Sequence, residues 1–64
     1  MEDYQKRVIQ EQKELEDKIY KLQEFIISDK FDNIKDKDEK NRLIKQSDIM
    51  MKYNKILNER IANF

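Results

Sequence analysis

The residues of this 64-residue chain that could carry chemistry are aromatic, amide and charged side chains on two stretches with heptad spacing. Tyr and Arg stack on planar rings such as nucleobases, and Arg and Lys neutralise phosphates. The formal net charge of zero argues against long duplex DNA or RNA and favours a small anion held where a few cations converge. The candidates are Tyr4, Gln5, Arg7, Glu11, Lys18 and Lys21 on the first stretch and Tyr53 and Arg60 on the second.

Each candidate also has a purely structural interpretation. Tyr4 and Tyr53 could pack in a core and leave only their hydroxyls in water. Lys18 and Arg60 could form salt bridges, with Glu11 as one partner. From spacing alone these alternatives stay open.

The composition offers no catalytic site. The chain contains no Cys, His, Gly, Pro or Thr, and its only serines are Ser28 and Ser47. Cys/His zinc sites, imidazole bases and glycine-rich phosphate loops are therefore excluded, and the Glu-x-x-His signature of bundle metal sites is absent. We expect a protein that is not an enzyme and that needs no metal or cofactor.

The first stretch predicts an amphipathic helix over residues 3–28, with Asp3 as its N-cap. Its apolar residues recur every seven positions, but one column is mixed, with aromatic ends and a charged middle. That column either faces water or receives something polar. The apolar columns are Val8–Leu15–Leu22 and Ile19–Ile26, and the mixed one is Tyr4–Glu11–Lys18–Phe25. The spacing also predicts the ion pairs Glu14–Lys18 and Asp17–Lys21.

The periodicity breaks between Ser28 and Asp38, in a segment rich in Asp, Asn and Ser. Phe31 and Ile34 are its only apolar residues, and we expect them to fold back over the end of the helical pair as one short helical turn. Asp36 followed by Glu39 resembles a capping box and predicts a second helix over residues 37–63.

The second helix carries an apolar stripe too wide for one partner helix to cover. The stripe consists of Leu43, Ile44, Ile49, Met50, Met51, Ile56, Leu57, Ile61 and Phe64. Residues 1–32 hold six basic and nine acidic side chains, and residues 33–64 hold eight and five, so the halves carry −3 and +3. A chain this short buries too little surface alone, so we expect one all-α domain over residues 1–64, an antiparallel hairpin assembled into an even-numbered homo-oligomeric bundle. No apolar run approaches the roughly 18 residues of a membrane span, and no signal peptide is visible, so we expect a cytoplasmic protein without membrane contact.

The order of residues resembles a family of small phage proteins, the anti-CBASS cyclic-oligonucleotide sponges, whose helical hairpin is shared with some anti-Thoeris sponges. The resemblance covers nearly the whole chain. It is carried by Tyr4-Gln5-x-Arg7-Val8-x-x-Glu11-x-x-x-Leu15-x-x-Lys18-x-x-x-Leu22-x-x-Phe25-Ile26, then Ser28-Asp29-x-Phe31, and later Met51-x-Tyr53-x-x-Ile56-Leu57-x-x-Arg60-Ile61.

The resemblance implies a homohexamer that sequesters immune second messengers in the host cytoplasm without cleaving them. It implies cyclic dinucleotides bound between paired protomers, and some members of that family also hold cyclic trinucleotides in separate pockets near three-fold axes. Tyr4 matches a base-stacking Tyr, Lys18 or its neighbour Lys21 a phosphate-contacting Lys, and Arg60 an Arg associated with the trinucleotide pocket. The competing hypothesis is a structural or regulatory hairpin that binds another protein through its apolar stripe.

Overall fold

The computed structural model describes residues 1–64 and is entirely helical, without strands. Helix α1 spans Asp3–Ile26, the single-turn helix α2 spans Asp29–Asp32, and helix α3 spans Lys37–Ala62. Helices α1 and α3 pack side by side as an antiparallel hairpin that measures 47 × 15 × 14 Å. The predicted hairpin is therefore confirmed for the single chain.

Both long helices begin at capping residues. The predicted Asp3 cap is wrong by one position: Glu2 is the N-cap, and its backbone N–H donates to Gln5 Oε1 at 2.9 Å. The predicted cap of α3 is confirmed, because the Asp36 carboxylate accepts hydrogen bonds from the backbone N–H groups of Asp38 and Glu39. These bonds satisfy amides that have no partner within the first helical turn.

The turn between the long helices closes one end of the hairpin. α1 ends at Ile26, two residues before the predicted end, and Ser28 Oγ donates to the Phe25 carbonyl at 2.6 Å. Phe31 of α2 packs edge-on against Phe25, with ring centroids 6.4 Å apart, and the Lys40 ammonium lies 5.3 Å from the Phe31 ring centroid. The expectation that Phe31 folds back over the end of the helical pair is confirmed.

The core of the hairpin is small. Only four apolar side chains are buried, namely Val8, Leu15 and Ile19 of α1 and Leu57 of α3. Leu57 is the most buried, at 1% exposure, and Met50 and Ile61 pack against the cluster. The buried Ser47 lies on the same side of α3, where a small side chain allows close approach of the helices.

Two side-chain contacts, far apart along the hairpin, define how α1 and α3 are aligned. Gln12 Nε2 donates to Asn54 Oδ1 at 3.1 Å in a half-buried position. At the open end, Tyr4 packs edge-on against Phe64, with centroids 5.8 Å apart. Two contacts so far apart fix the antiparallel register of α1 and α3.

Much of the wide stripe on α3 stays outside this core. Ile49 is 64% exposed and Ile56 is 54% exposed, as expected for a hairpin that has more apolar surface than one partner helix can cover. No helix of the chain is both long enough and apolar enough to cross a membrane.

Of the two predicted intrahelical ion pairs, only one forms. Lys21 Nζ lies 2.9 Å from Asp17 Oδ2. The Glu14–Lys18 pair is not made, because Glu14 instead accepts a hydrogen bond from Gln10 Nε2 at 3.1 Å.

Candidate functional site

The hairpin has two different long faces. Its front face carries a groove lined on α1 by Glu16, Tyr20 and Gln23 and on α3 by Met51 and Asn54. Successive residues of an α-helix are rotated by about 100° around its axis. The buried stripe of α1 therefore separates two sides of this helix: one side lines the groove, and the other belongs to the back face. In α3, the buried Leu57 separates the side that carries Met51 from the opposite side, which also belongs to the back face. The back face contains Arg7, Glu11, Lys18, Tyr53 and Arg60.

The open end of the hairpin holds two aromatic rings. Tyr4 lies in the first turn of α1 and is 51% exposed, and its ring meets that of Phe64 nearly at right angles. Only part of the Tyr4 ring therefore packs within the hairpin as the structural interpretation of this residue expected. The exposed part is available for a planar ligand to stack on.

Two arginines lie beside these rings. In the register defined by the Tyr4–Phe64 and Gln12–Asn54 contacts, Arg7 on α1 lies across from Arg60 on α3. Both arginines are exposed, and neither forms an ion pair within the hairpin. Two guanidinium groups without a carboxylate partner make this end of the back face attractive to an anion.

Lys18 is far from this cluster within one chain. It lies fourteen residues beyond Tyr4 on the same helix, which corresponds to about 21 Å along the axis. Lys18 is exposed and has no ion-pair partner, so the salt bridge considered for it is not formed. A small ligand cannot touch Tyr4 and Lys18 of the same copy.

Lys21 differs from Lys18 in direction and in pairing. Around the axis of α1, the direction of Lys21 is rotated about 60° farther from the buried stripe than the direction of Lys18. The hydrogen bond and the negative charge of Asp17 raise the pKa of Lys21 above its ordinary value of 10.5. A lysine already satisfied by a neighbour is a weaker candidate for phosphate contact than Lys18.

The other candidates have mixed outcomes. The Gln5 side chain is occupied by the cap of α1. Glu11 is half-buried on the back face, and Tyr53 is 43% exposed there, outside the core cluster. No three acidic side chains come close enough together to hold a metal ion. The structure thus gathers Tyr4, Arg7 and Arg60, with Glu11 one turn from Arg7, and leaves Lys18, Lys21 and Tyr53 farther along the helices.

The front groove is the feature that sequence reasoning missed. One part of it, of about 330 Å³, runs between the helices, and a second part, of about 480 Å³, continues over Glu24, Ile26 and Ile27. The two parts share Tyr20 and Gln23 and so form one groove. Tyr20 and Ile27 are seven residues apart and outside the main apolar columns, and that spacing was the signal for this surface.

The lining of the front groove does not suit phosphate. Its charged residues are Glu16 and Glu24, and no Lys or Arg lines it. A hydrogen bond to the Glu24 carboxylate, together with its charge, raises the pKa of Tyr20. An anionic ligand would meet two carboxylates here, so this groove and the arginine cluster on the back face have different chemistry.

The comparison with protein families adds to this geometry. A model of the Sequestin family matches residues 2–63, which is nearly the whole chain. The chain belongs to the Sequestin family. The family name denotes sequestration, which is consistent with a sponge-type protein that binds and retains a ligand or partner. No curated protein and no solved structure matches the chain.

Proposed function

We propose that this Sequestin-family chain binds and sequesters cyclic oligonucleotide second messengers without cleaving them, and so inhibits CBASS-type immunity as a phage anti-defence protein in the host cytoplasm. Cyclic dinucleotides are the primary ligands, and cyclic trinucleotides are a second class. The resemblance described above and the sequestration denoted by the family name support this proposal.

The observation that carries the proposal is the cluster at the open end of the back face. Tyr4 offers an exposed ring, and its neighbour Arg7 offers a cation without an ion-pair partner, while Arg60 is the unpaired cation that remains for a trinucleotide. A nucleotide presents a flat base beside an anionic phosphate, so an aromatic platform next to a guanidinium group complements both parts. The sequence contains no Cys or His to attack a phosphodiester or activate water, which favours binding over turnover.

The distance between Tyr4 and Lys18 supports a ligand held between two copies. A second α1 that crosses the first in antiparallel orientation midway between the two residues brings Tyr4 of one copy close to Lys18 of the partner subunit. Glu11 lies at this crossing, and Arg7 one turn away on the same helix offsets the repulsion between the two Glu11 carboxylates. At the other end of the pair, Tyr4 of the second copy lies close to Lys18 of the first in the same way, so the pair has two equivalent sites. Three such pairs make the hexamer that the resemblance implies, and Arg60 is then assigned to the trinucleotide pocket.

Calorimetric titration of single-residue variants tests this arrangement. Loss of base stacking or of a charge-assisted phosphate contact costs about 1–3 kcal/mol, so Tyr4→Ala and Lys18→Ala should each weaken cyclic dinucleotide binding by roughly ten-fold or more. Arg60→Ala should spare the dinucleotide and weaken a trinucleotide. Lys13→Ala is the matched control, because Lys13 is an exposed α1 lysine outside the back face. Unchanged affinity in both Tyr4→Ala and Lys18→Ala would refute the proposed site.

A second experiment separates sequestration from catalysis. The protein is incubated with a cyclic dinucleotide and then heat-denatured, and the released nucleotide is analysed by chromatography. We expect the intact cyclic ligand. Linear or hydrolysed nucleotide that increases with protein and time would replace the sponge proposal with a nuclease.

A second candidate function is a structural or regulatory hairpin that binds a different protein. The exposure of Ile49 and Ile56 favours it, because exposed branched apolar side chains are typical of protein interfaces. Native mass spectrometry with and without cyclic dinucleotide separates the two functions. A monomer that ignores the nucleotide and becomes ordered only with a protein partner would favour the second function.

A further inference from the structure

Two apolar surfaces remain exposed on the hairpin, and they differ in charge. The first is the front groove, whose rim carries Glu16 and Glu24. The second, which we call the outer stripe, consists of Ile49, Tyr53 and Ile56 on the side of α3 that faces away from that groove. The helix containing the outer stripe belongs to the half of the chain with net charge +3, and the rim of the groove belongs to the half with −3.

The outer stripe has the spacing of a helix that docks in a groove. Its three residues follow at intervals of four and three, so they form one continuous apolar line of about 10 Å along α3. Lys45 and Lys52 flank this line on one side together with Asp48 and Glu59, and Arg42 and Arg60 lie in line with it at its two ends. Four basic and two acidic side chains thus surround the stripe, so its margin is positive overall.

The front groove has complementary dimensions and charge. From Glu16 to Ile26 it extends over eleven residues of α1, or about 15 Å, which is long enough to receive the stripe. Tyr20 is 60% exposed and Ile27 is 85% exposed in the single chain, so apolar surface is available along the groove. Glu16 and Glu24 would then face Lys45 and Lys52 of the partner subunit.

We propose that the front groove of one copy binds the outer stripe of a second copy. Contact between two front grooves is disfavoured, because it would bring Glu16 and Glu24 against their own equivalents. Contact between groove and stripe pairs opposite charges and covers apolar side chains on both copies. The contact joins two different surfaces, so a pair of copies keeps one free stripe on one copy and one free groove on the other, with which it can extend or close an assembly.

Complementation between two variants tests the contact without any nucleotide. Tyr20→Lys places a cation in the groove, and Ile49→Lys places one in the stripe. Both positions are exposed in the single chain, at 60% and 64%, so the hairpin core is untouched. By sedimentation velocity, each variant alone should associate at least ten-fold more weakly than the unaltered chain.

The equimolar mixture is the decisive sample. The intact stripe of the Tyr20→Lys copy can bind the intact groove of the Ile49→Lys copy, so the mixture should regain an assembly that contains the two variants in equal amounts and is heavier than either variant alone. If either variant loses helicity alone, the mixture should regain it, and circular dichroism then reports the same contact. Gln10→Lys adds an equal charge on the outward side of α1 and should assemble like the unaltered chain.

Three results would overturn the proposal. Both variants could keep the mass of the unaltered chain. The mixture could behave as the sum of its two components. Tyr20→Lys could assemble normally while Ile49→Lys does not, which would mean that the stripe binds another stripe. None of these results depends on nucleotide affinity, so failure of this contact and failure of the proposed ligand site are distinguished.

Discussion

Leu57 is the residue whose truncation should most clearly reveal what holds the hairpin together. It is 1% exposed and is the only apolar side chain of α3 in the buried cluster, where it faces the three buried side chains of α1. Leu→Ala at such a site removes buried methyl groups and leaves a cavity, which costs about 2–5 kcal/mol. Leu57→Ala should therefore remove much of the stability of a 64-residue chain.

Urea unfolding followed by circular dichroism measures this loss. With a slope of about 1 kcal/mol per M for a small domain, the midpoint should fall by roughly 2–5 M, or the variant should be unfolded without denaturant. Leu57→Met keeps the side-chain volume and should lower the free energy of unfolding by less than about 1.5 kcal/mol. A small loss in this variant beside a large loss in Leu57→Ala would attribute the destabilisation to the cavity. Leu57→Asp should unfold and dissociate the protein, because a carboxylate would enter the apolar cluster.

Ile56→Ala is the neighbouring control for assembly. Ile56 is 54% exposed in the single chain, so its truncation should act through association and depend on protein concentration. The Leu57→Ala effect should persist at every concentration. A Leu57→Ala protein with an unchanged midpoint and intact oligomer would refute the assignment of Leu57 to the centre of the core.

Three further predictions concern register, capping and charge. Asn54→Ala removes the acceptor on α3 for Gln12 Nε2, which keeps its second acceptor Glu16 Oε2, and should lower the free energy of unfolding by about 0.5–1 kcal/mol in a thermal melt. Asp36→Ala removes the N-cap of α3 and should cost about 0.5–2 kcal/mol in the same assay. Asp17→Asn should return the Lys21 pKa, measured by NMR, toward 10.5, and the stability from this pair should be present below pH 10.5 and lost as the pH rises through the raised value.

Matched controls exist for Asn54→Ala and Asp36→Ala. Asn58→Ala changes an exposed Asn one turn beyond Asn54, and Asp48→Ala changes an exposed Asp in the middle of α3. Both should lie within about 0.5 kcal/mol of the unaltered chain. Equal losses in a variant and its control would contradict the register or capping role, and a Lys21 pKa unmoved by Asp17→Asn would contradict the ion pair.

The sequence predicted the helices well because their signals are local. Seven-residue spacing, an acidic cap at Asp36 and the absence of Gly and Pro placed both long helices to within two residues of their observed ends. The errors are also local: Glu2 rather than Asp3 caps α1, and Glu14 pairs with Gln10 rather than with Lys18. In both cases several side chains of similar chemistry compete for one partner, and geometry decides between them.

The candidate site was predictable in part. Tyr4, Arg7 and Arg60 were identified by residue type and by resemblance, but their common position at one end of one face follows from the register of two helices. Lys18 and Lys21 looked equivalent in the sequence and differ in the structure, because only Lys21 is held by a carboxylate within reach. The front groove around Tyr20 escaped prediction because a groove is formed by both helices together.

The sequence by itself thus determined the two long helices, the Asp36 cap and the surplus of apolar surface, since each depends on residues within a few turns of one another. The tertiary structure decided which part of the wide α3 stripe became core, with Leu57 inside and Ile49 and Ile56 outside. It also decided that Arg7 lies across from Arg60 and that the groove and the outer stripe lie on different sides. These outcomes depend on the rotation and register of α3 against α1, which are set by contacts between residues far apart in the chain, such as Gln12–Asn54 and Tyr4–Phe64.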